Sequence, residues 1–500
     1  MTRRIEEGVG YVTLDAPPSN VLDQAMRQGL LEAVAWAEAA RLGRVILSGA
    51  GGTFAAGEIA QDAAPPEPPH LADVLDAIER SAVPWIAVIE GVAQGGGAEL
   101  ALACRMRIMA PAARIGLPEV MFGLIPEAGG TQRLPRLVGL GPALAMISLG
   151  EPISAEAARA AKLVHDIDDD PAEAAFLVNA EQLGDVVPVW ELPPPAADAE
   201  VLAAARETAG ERSPGQQAPL RAIDVVEAGL ALSFEAAMGE ERRVAQALRR
   251  SDQARALHHL QVAEQGAEQG AETAGAPDNV VGDRILARYR EAADTVFMDG
   301  STPWEVDEAM VAFGYVMGPY EAEDLSGLDI AHAQRRREDA TRDPNRRYIP
   351  IADRMIELGK LGRKTAAGWY RYPGGAGKVE DPIVADLAVE EAHFAGITRT
   401  DYEPHEIEER IVLAMINEAA DVLHQGIARS ASDIDLVSVH RLGFPRWRGG
   451  LMHYADTLGV AEIVARLQGL AEEDPVAWRL SPLLKQCAES GTRLADWTSN

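Results

Sequence analysis

A change in hydrophobic periodicity near residue 160 most constrains how this chain can fold. Before it, short apolar runs alternate with stretches of helical spacing, such as 24–41 and 70–81. From about Glu156 onward the strand signals nearly vanish. Strand–helix alternation is typical of an α/β layered domain, so we expect one such domain followed by helical domains. Strands are predicted at 10–14, 45–49, 85–89, 107–110 and 113–115.

Charge and composition exclude several classes of function. The chain has 500 residues and a net charge of −31, which argues against nucleic acid or an anionic membrane as the main partner. Cys104 and Cys487 lie too far apart in sequence to suggest a disulfide framework or a cysteine-based metal site. No membrane span and no secretory signal are visible, and the segment 498–500 is not a peroxisomal address. We therefore expect a cytoplasmic protein.

The C-terminal half contains an internal repeat. Residues 283–294 and 410–421 both end in Glu-Ala-Ala-Asp, and each copy leads to an acidic helix and then a Gly/Pro segment. This pattern predicts a duplicated helical domain whose two copies pack together. The acidic, glycine-punctuated segment 264–277 precedes the repeat and is predicted to be a flexible linker.

Two glutamates, Glu99 and Glu119, stand next to glycine turns inside largely apolar stretches. A carboxylate in such a place must be paired, neutralised or functional, because burying it ionised and alone is costly. Two of them in neighbouring segments suggest a general acid/base pair.

Glycines mark two places where a ligand could approach the backbone. Gly95, Gly96 and Gly97 open a predicted helix, whose first N–H groups can polarise a carbonyl oxygen. The small-residue run 48–57 follows a predicted strand. An ordinary strand-to-helix loop is the alternative for the second segment.

The segments 54–57, 89–100, 116–120 and 125–134 resemble, in this order, the motifs of the crotonase, or enoyl-CoA hydratase/isomerase, superfamily. The resemblance covers roughly residues 5–190 and implies an α/β crotonase fold, a ββα spiral. It implies catalysis by Glu99 and Glu119, with the backbone N–H groups of Glu58 and Gly96 as oxyanion hole. It also implies contacts with substrate and CoA from the following residues: Ala55, Ala56, Gly57 and Gly95.

Residues from about 280 to 500 resemble the two all-α C-terminal domains of 3-hydroxyacyl-CoA dehydrogenase, as found in multifunctional β-oxidation enzymes. The segments 317–329, 362–370 and 417–419 carry this resemblance. The NAD-binding domain of that family is missing, and Asp283 stands where the family has an asparagine. The domains are predicted at 1–190 (crotonase-like), 191–263 (connector), 264–277 (linker), 278–385 and 386–500 (helical).

Together the resemblances imply an enoyl-CoA hydratase, with Δ3–Δ2 isomerisation as a second activity and no dehydrogenase activity. The expected substrate is an acyl-CoA thioester, with neither NAD nor a metal as cofactor. The alternatives are an isomerase only, or a non-catalytic scaffold for a separate thiolase or dehydrogenase.

Two departures from the family pattern place extra acids at Glu58 and Glu127, and we hypothesise that these tune the substrate range. Among weaker candidates, the arginines at 335–337 and 346–347 suggest a solvated helical face, or else a contact with CoA phosphate. His258 and His259 suggest a packed or surface pair rather than a metal site.

Overall fold

The computed structural model describes residues 1–56, 67–270, 278–338, 344–375 and 377–497. The chain forms two compact units, Met1–His258 and His259–Asn500. The finer five-part division predicted from the sequence stays a prediction.

The first unit is an α/β structure with two sheets. Its described part contains nine strands: β1 (Thr2–Glu6), β2 (Val9–Leu14), β3 (Arg44–Gly49), β4 (Trp85–Ile89), β5 (Val92–Gln94), β6 (Met106–Met109), β7 (Arg114–Gly116), β8 (Ile153–Ser154) and β9 (Asp166–Ile167). The larger sheet has the order β1-β2-β3-β4-β6-β9 and the smaller one β5-β7-β8. All five strands predicted from the sequence are present.

The chain repeats one step between the two sheets. β4 and β6 are parallel neighbours in the larger sheet, while β5 and β7, which follow them, are parallel neighbours in the smaller one. Among the described strands of this unit, two pairs are antiparallel, β1 with β2 and β7 with β8. This repeated strand–strand step agrees with the predicted spiral.

Helices cover the sheets of the first unit: α1 (Gln24–Ala39), α2 (Leu71–Glu79), α3 (Gly96–Ala103), α4 (Gly130–Val138), α5 (Leu140–Leu149), α6 (Ala155–Ala160), α7 (Pro171–Leu177), α8 (Ala180–Gly184), α9 (Ala199–Arg212), α10 (Ala218–Gly229) and α11 (Phe234–Arg249). A further helix, α12, spans Asp252–Gly270.

The central strands of the larger sheet are buried on both faces. Val45 and Leu47 contribute to the main core of the unit, whereas Ile46, between them, packs into a second cluster with Ala175 and Leu183 from α7 and α8. Side chains alternate between faces along a strand, so a strand covered on both sides needs apolar residues at every position. This explains why all five residues of β4 are apolar and buried.

The second unit is helical apart from the short hairpin β10 (Tyr370–Arg371) and β11 (Val379–Glu380) in its described residues. Its helices are α13 (Asp278–Asp299), α14 (Pro303–Phe313), α15 (Pro319–Ser326), α16 (Leu328–Glu338), α17 (Ile351–Glu357), α18 (Pro382–Phe394), α19 (Pro404–His424), α20 (Ala431–His440), α21 (Leu451–Leu458), α22 (Val460–Glu473) and α23 (Pro482–Ser490).

The internal repeat corresponds to equivalent local structure in this unit. In the first copy, buried Asp307 accepts hydrogen bonds from the N–H groups of Tyr320 and Glu321, each 2.9 Å long, at the start of α15. In the second copy, buried Asp435 accepts them from Met452 (2.7 Å) and His453 (3.1 Å), at the start of α21. Each aspartate satisfies N–H groups that a helix start leaves without partners.

Part of the predicted linker is helical. Helix α12 continues to Gly270, so residues 264–270 belong to it, while 271–277 lie outside the described residues. The helical spacing of the preceding residues extends into this segment, and Glu264 forms an ion pair with Arg446 at 2.6 Å. Alanine and glutamate are good helix formers, so low complexity did not imply an irregular backbone here.

Candidate active site

Two parallel strands place Glu99 and Glu119 side by side. Gln94 of β5 lies opposite Gly116 of β7, and the next N–H, that of Gly95, donates to the Gly116 carbonyl at 3.0 Å. Glu99 follows β5 in the first turn of α3, and Glu119 follows β7 at the start of a short 3-10 helix. Because the two strands run in the same direction, both carboxyl groups leave the smaller sheet at one edge.

The Glu99 carboxyl group is buried and asymmetrically hydrogen-bonded. Its Oε1 atom accepts the N–H groups of Ala128 (2.9 Å) and Gly130 (2.7 Å). Its Oε2 atom accepts no hydrogen bond from the described residues. Burial raises the pKa of Glu99 to about 7, against the two N–H groups, which lower it. Such a group can hold or release a proton near neutral pH, and one oxygen is left for a ligand.

Glu119 lies in a different environment. Its Oε2 atom is buried and has no hydrogen-bond partner among the described residues. Burial and, after it, the charge of Glu99 raise the pKa of Glu119 well above its ordinary value. The two carboxyl groups therefore lie in different environments, and burial together with the charge of Glu99 favours the protonated form of Glu119.

Glycines allow the backbone to approach both acids closely. A Cβ atom on Gly95 would lie 3.3 Å from Oε1 of Glu119, and one on Gly130 would lie 2.9 Å from Oε1 of Glu99. Gly95 also has a φ of 56°, which disfavours any residue with a side chain. The glycines seen in the sequence thus serve the packing of the two carboxyl groups.

The predicted oxyanion hole is only half within the described residues. Gly96 is the first residue of α3, where an N–H group has no acceptor inside the helix. Ala55 bridges to Ala93 next to it, and a Cβ on Gly97 would lie 2.1 Å from the Ala55 carbonyl oxygen. Ala56, partly buried, donates its N–H to Ser19. Gly57 and Glu58 lie outside the described residues.

A third buried acid, Glu241, was missed at the level of sequence. It lies on α11 and is fully buried, and it accepts the N–H groups of Gly129 (2.6 Å) and Thr131 (2.9 Å) and the Thr131 hydroxyl. Burial and the charge of Glu99 raise its pKa to about 8. A glutamate on the apolar face of a helix, here between Met238 and Val244 of α11, is the sequence signal that could have identified it.

Glu127 forms an ion pair with Arg249 of α11 at 2.5 Å and stays partly exposed. Its charge contributes to the raised pKa of both Glu99 and Glu119. The opposite charge of buried Arg133, which pairs with Glu79 at 2.9 Å, lowers the pKa of Glu99. These two charges oppose each other and change the pKa of Glu99 less than burial and the two N–H groups do.

The weaker candidates lie in the second unit or at its border. Arg335, Arg346 and Arg347 line a cavity of about 420 Å³, and each is ion-paired there, to Asp294, Glu291 and Asp299. His259 bonds to Asp435 at 2.8 Å and stacks on His453, so it is a packed histidine. No group of three or more potential metal ligands is found in the described part of the chain.

Chemically, the site offers one carboxyl group with a pKa of about 7 and one whose pKa is raised well above its ordinary value, together with an N–H group at a helix start. This combination suits proton addition and removal at neighbouring carbon atoms beside a polarised carbonyl.

Family models match both units. Residues 4–183 match the enoyl-CoA hydratase/isomerase family, and residues 280–372 and 407–494 match the 3-hydroxyacyl-CoA dehydrogenase C-terminal domain. Glu99 and Glu119 lie inside the first match, whereas Glu241 lies beyond its end.

Curated relatives match along nearly the whole chain. The peroxisomal bifunctional enzyme of Danio rerio is 26% identical over 98% of this chain and 97% of its own length. That of Homo sapiens is 25% identical over 99% and 98%. The glyoxysomal fatty acid beta-oxidation multifunctional protein MFP-a of Brassica napus is 23% identical over 92% and 93%. The first alignment spans 697 residues against a chain of 500, so at least 197 positions face gaps in this chain.

Solved structures also match. The enoyl-CoA hydratase of Bacillus anthracis is 26% identical, with 54% of this chain and 96% of that one covered and a TM-score of 0.32. Pseudomonas aeruginosa DspI is 27% identical, with 48% and 92% covered and a TM-score of 0.35.

The predicted cytoplasmic location is contradicted by these comparisons, because the relatives are named peroxisomal or glyoxysomal. Targeting signals at a terminus are short and separate from the fold, so the terminal residues are a poor guide to location. Within the described residues, no helix is long and apolar enough to cross a membrane.

Proposed function

Because residues 4–183 belong to the enoyl-CoA hydratase/isomerase family and two later segments to the 3-hydroxyacyl-CoA dehydrogenase C-terminal domain, we propose that the chain hydrates 2-trans-enoyl-CoA. Relatives named for fatty acid beta-oxidation support acyl-CoA degradation as the setting. The proposed reaction needs no redox cofactor such as NAD, since water adds without any change in net oxidation state.

The observation that carries the proposal is the unequal treatment of the two carboxyl groups. Glu99 receives two N–H groups on one oxygen, which favours its charged form and leaves the other oxygen for a water molecule. Glu119 has a buried oxygen with no partner among the described residues, which favours its neutral form. The first is suited to act as a base, the second as an acid.

In the proposed reaction Glu99 removes a proton from water as the water oxygen bonds to C3 of the enoyl group. The electrons of the double bond move toward the thioester carbonyl and form an enolate oxygen. The Gly96 N–H donates to that oxygen, with the N–H of Glu58 as the second expected donor. A donor of this kind contributes about 3–4 kcal/mol of transition-state stabilisation.

Glu119 then gives its proton to C2, and the thioester carbonyl re-forms. Afterwards Glu99 loses the proton it gained and Glu119 recovers one, so both return to their starting states. A positioned acid or base contributes roughly 10²–10⁴-fold to the rate. When ionised, Glu119 alone could instead take a proton from C2 of a 3-enoyl-CoA and return it to C4, which would give Δ3–Δ2 isomerisation as a second activity.

We also propose that the chain lacks dehydrogenase activity. At least 197 alignment positions of the Danio rerio relative have no counterpart here, and no glycine-rich dinucleotide fingerprint follows a strand in the sequence. Asp283, at the position of the family's asparagine, pairs with Arg441 at 2.7 Å. The helical unit would then be structural or a docking surface, for instance for a separate thiolase or dehydrogenase.

The test is a spectrophotometric assay of 2-trans-enoyl-CoA hydration by the purified chain and its variants. We expect Glu99→Gln and Glu119→Gln each to lose roughly 10²-fold or more in kcat, while Glu211→Gln, the same change at an exposed position, keeps full activity. Full activity of Glu99→Gln would exclude the mechanism. With 3-hydroxyacyl-CoA and NAD the same preparation should form no NADH.

A further inference from the structure

The loop at 128–131 is held by two buried carboxyl groups from different helices. Its four successive N–H groups alternate between them: Ala128 and Gly130 donate to Glu99, and Gly129 and Thr131 donate to Glu241. The four distances lie between 2.6 and 2.9 Å. The loop therefore joins the base of the proposed reaction to a helix that lies outside the matched family segment.

We propose that Glu241 is a positioning residue, which holds this loop so that two of its N–H groups face Glu99 and fix the carboxyl group that activates water. The inference rests on the proposed hydratase function. Glu241 itself is not placed at the reacting atoms.

The presence of a glutamate at position 241 indicates a role beyond simple packing of the loop. Glu241 is fully buried on the apolar face of α11, where an uncompensated charge is costly. Both of its oxygens accept hydrogen bonds, one from Gly129 and the other from the N–H and hydroxyl of Thr131. All three groups are donors, so a carboxylate fits, whereas the NH₂ group of a glutamine would face one of them.

The loop conformation also depends on this arrangement. Gly129 has a φ of 105°, and a Cβ there would lie 2.0 Å from Nη1 of Arg133. The same Arg133 atom donates to the Ala128 carbonyl at 2.6 Å. The carbonyl side of the loop is therefore bonded to Arg133, and its N–H side to the two acids.

Glu241 also acts on the pair through its charge. The charged groups that face this region are Glu99 on α3, Glu119 after β7, Arg133 on α4, and Glu127 with its partner Arg249 on α11. Like Glu99 and Glu127, Glu241 contributes to the raised pKa of Glu119. Removing its charge should therefore let Glu119 lose its proton at lower pH.

The experiment compares Glu241→Gln with wild type in the hydration assay across pH. We expect kcat to fall by about 10–100-fold with KM within about twofold, because Glu99 loses its alignment rather than a substrate contact. The basic limb of the kcat profile should move to lower pH. Glu240→Gln, on the same helix but paired with Arg243 at the surface, should change neither.

Two further measurements separate positioning from folding. Amide hydrogen exchange at residues 128–131 should become faster in Glu241→Gln, while exchange in β4 stays at the wild-type rate. Glu241→Asp keeps the charge but shortens the side chain, so it should restore the basic limb without restoring kcat. If Glu241→Gln has no cooperative unfolding transition, the kcat and the basic limb of Glu241→Asp test the role of Glu241 instead.

An unchanged kcat, or a lower kcat with the basic limb and the exchange of 128–131 unchanged, would overturn the role of Glu241. A wild-type chain without hydratase activity would instead overturn the proposed function, so the two failures are distinguishable.

Discussion

At the scale of single residues, the roles of Glu99 and Glu119 follow from their partners rather than from their own chemistry. Both are carboxylic acids in a buried region, and burial raises the pKa of each. Two N–H groups oppose this effect at Glu99, whereas at Glu119 its own N–H group opposes it and Oε2 has no partner among the described residues. Hydrogen bonds to the charged form and neighbouring charges are thus what separates a base from an acid.

Glu127 gives a prediction at this scale. Glu127→Gln removes a negative charge that raises the pKa of both Glu99 and Glu119, and it leaves the positive charge of Arg249 uncompensated. Both effects lower the pKa of Glu99, so the acidic limb of the kcat/KM profile should move to lower pH by roughly one unit or less.

The control for this prediction is Glu151→Gln, which breaks a surface pair with Arg212 of the same length, 2.5 Å. It should leave the profile in place. An acidic limb that stays in place in Glu127→Gln would show that Glu127 does not act on Glu99.

At the scale of elements, the site is formed where two parallel strands of the smaller sheet end. The ladder between β5 and β7 fixes which residues follow at the same edge, and α3 and α4 begin there. Glycines at these helix starts let two carboxyl groups sit against backbone. A change of one methyl group at such a place should therefore affect chemistry more than folding.

Gly130→Ala tests this. The added methyl group would lie 2.9 Å from Oε1 of Glu99 and 2.7 Å from Cβ of Pro126, so it must displace one of them. We expect kcat to fall by on the order of 10²-fold and the free energy of unfolding to fall by about 1–3 kcal/mol.

Gly239→Ala on α11 is the matched substitution, because nothing lies within 4 Å of the added atom. It should stabilise the protein by up to about 1 kcal/mol through higher helix propensity and leave activity unchanged. Denaturant unfolding and the hydration assay measure both variants. Wild-type activity in Gly130→Ala would contradict the close fit between the loop and Glu99.

At the scale of the whole molecule, several carboxyl groups in both units are buried with raised pKa values. They are Glu99 (about 7), Glu241 (about 8), Asp294 (about 7), Asp307 (about 6) and Asp324 (about 6). In the unfolded chain these groups titrate near their ordinary values, around 4. At a pH between these ordinary pKa values and the raised ones, the folded chain holds protons that the unfolded chain has lost.

Because the pKa values are raised in the folded state, we expect the free energy of unfolding to decrease as the pH rises from about 5.5 to 8. Over this range the folded state must give up protons or bury charge. The net charge of −31 acts in the same direction through self-repulsion. His165, whose pKa burial lowers to about 4, acts in the opposite direction, but it is one group against the five listed above and Glu119.

Thermal unfolding at about pH 5.5 and about pH 8 measures the effect. An unfolding midpoint that is not lower at the higher pH would contradict the prediction. Asp307→Asn should reduce the dependence, because it removes one of the five groups.

The sequence by itself determined the layout of this protein. Strand–helix alternation predicted the α/β unit, the repeat at 283–294 and 410–421 predicted the duplicated helical unit, and the glycines beside Glu99 and Glu119 indicated the site. Each of these signals is local, since periodicity, turn residues and short motifs are read within a few positions. The same local reading predicted a flexible linker at 264–277, whose residues 264–270 are helical.

Only the tertiary structure decided how the two acids differ and what holds them. Glu241 lies 110 residues from Thr131 in the chain, and Arg249 lies 122 residues from Glu127, so no local pattern could connect them. The pKa of a buried group depends on desolvation, hydrogen bonds and charges, which exist only once the chain has folded. The sequence therefore identified the two catalytic candidates, and the fold assigned one the environment of a base and the other that of an acid.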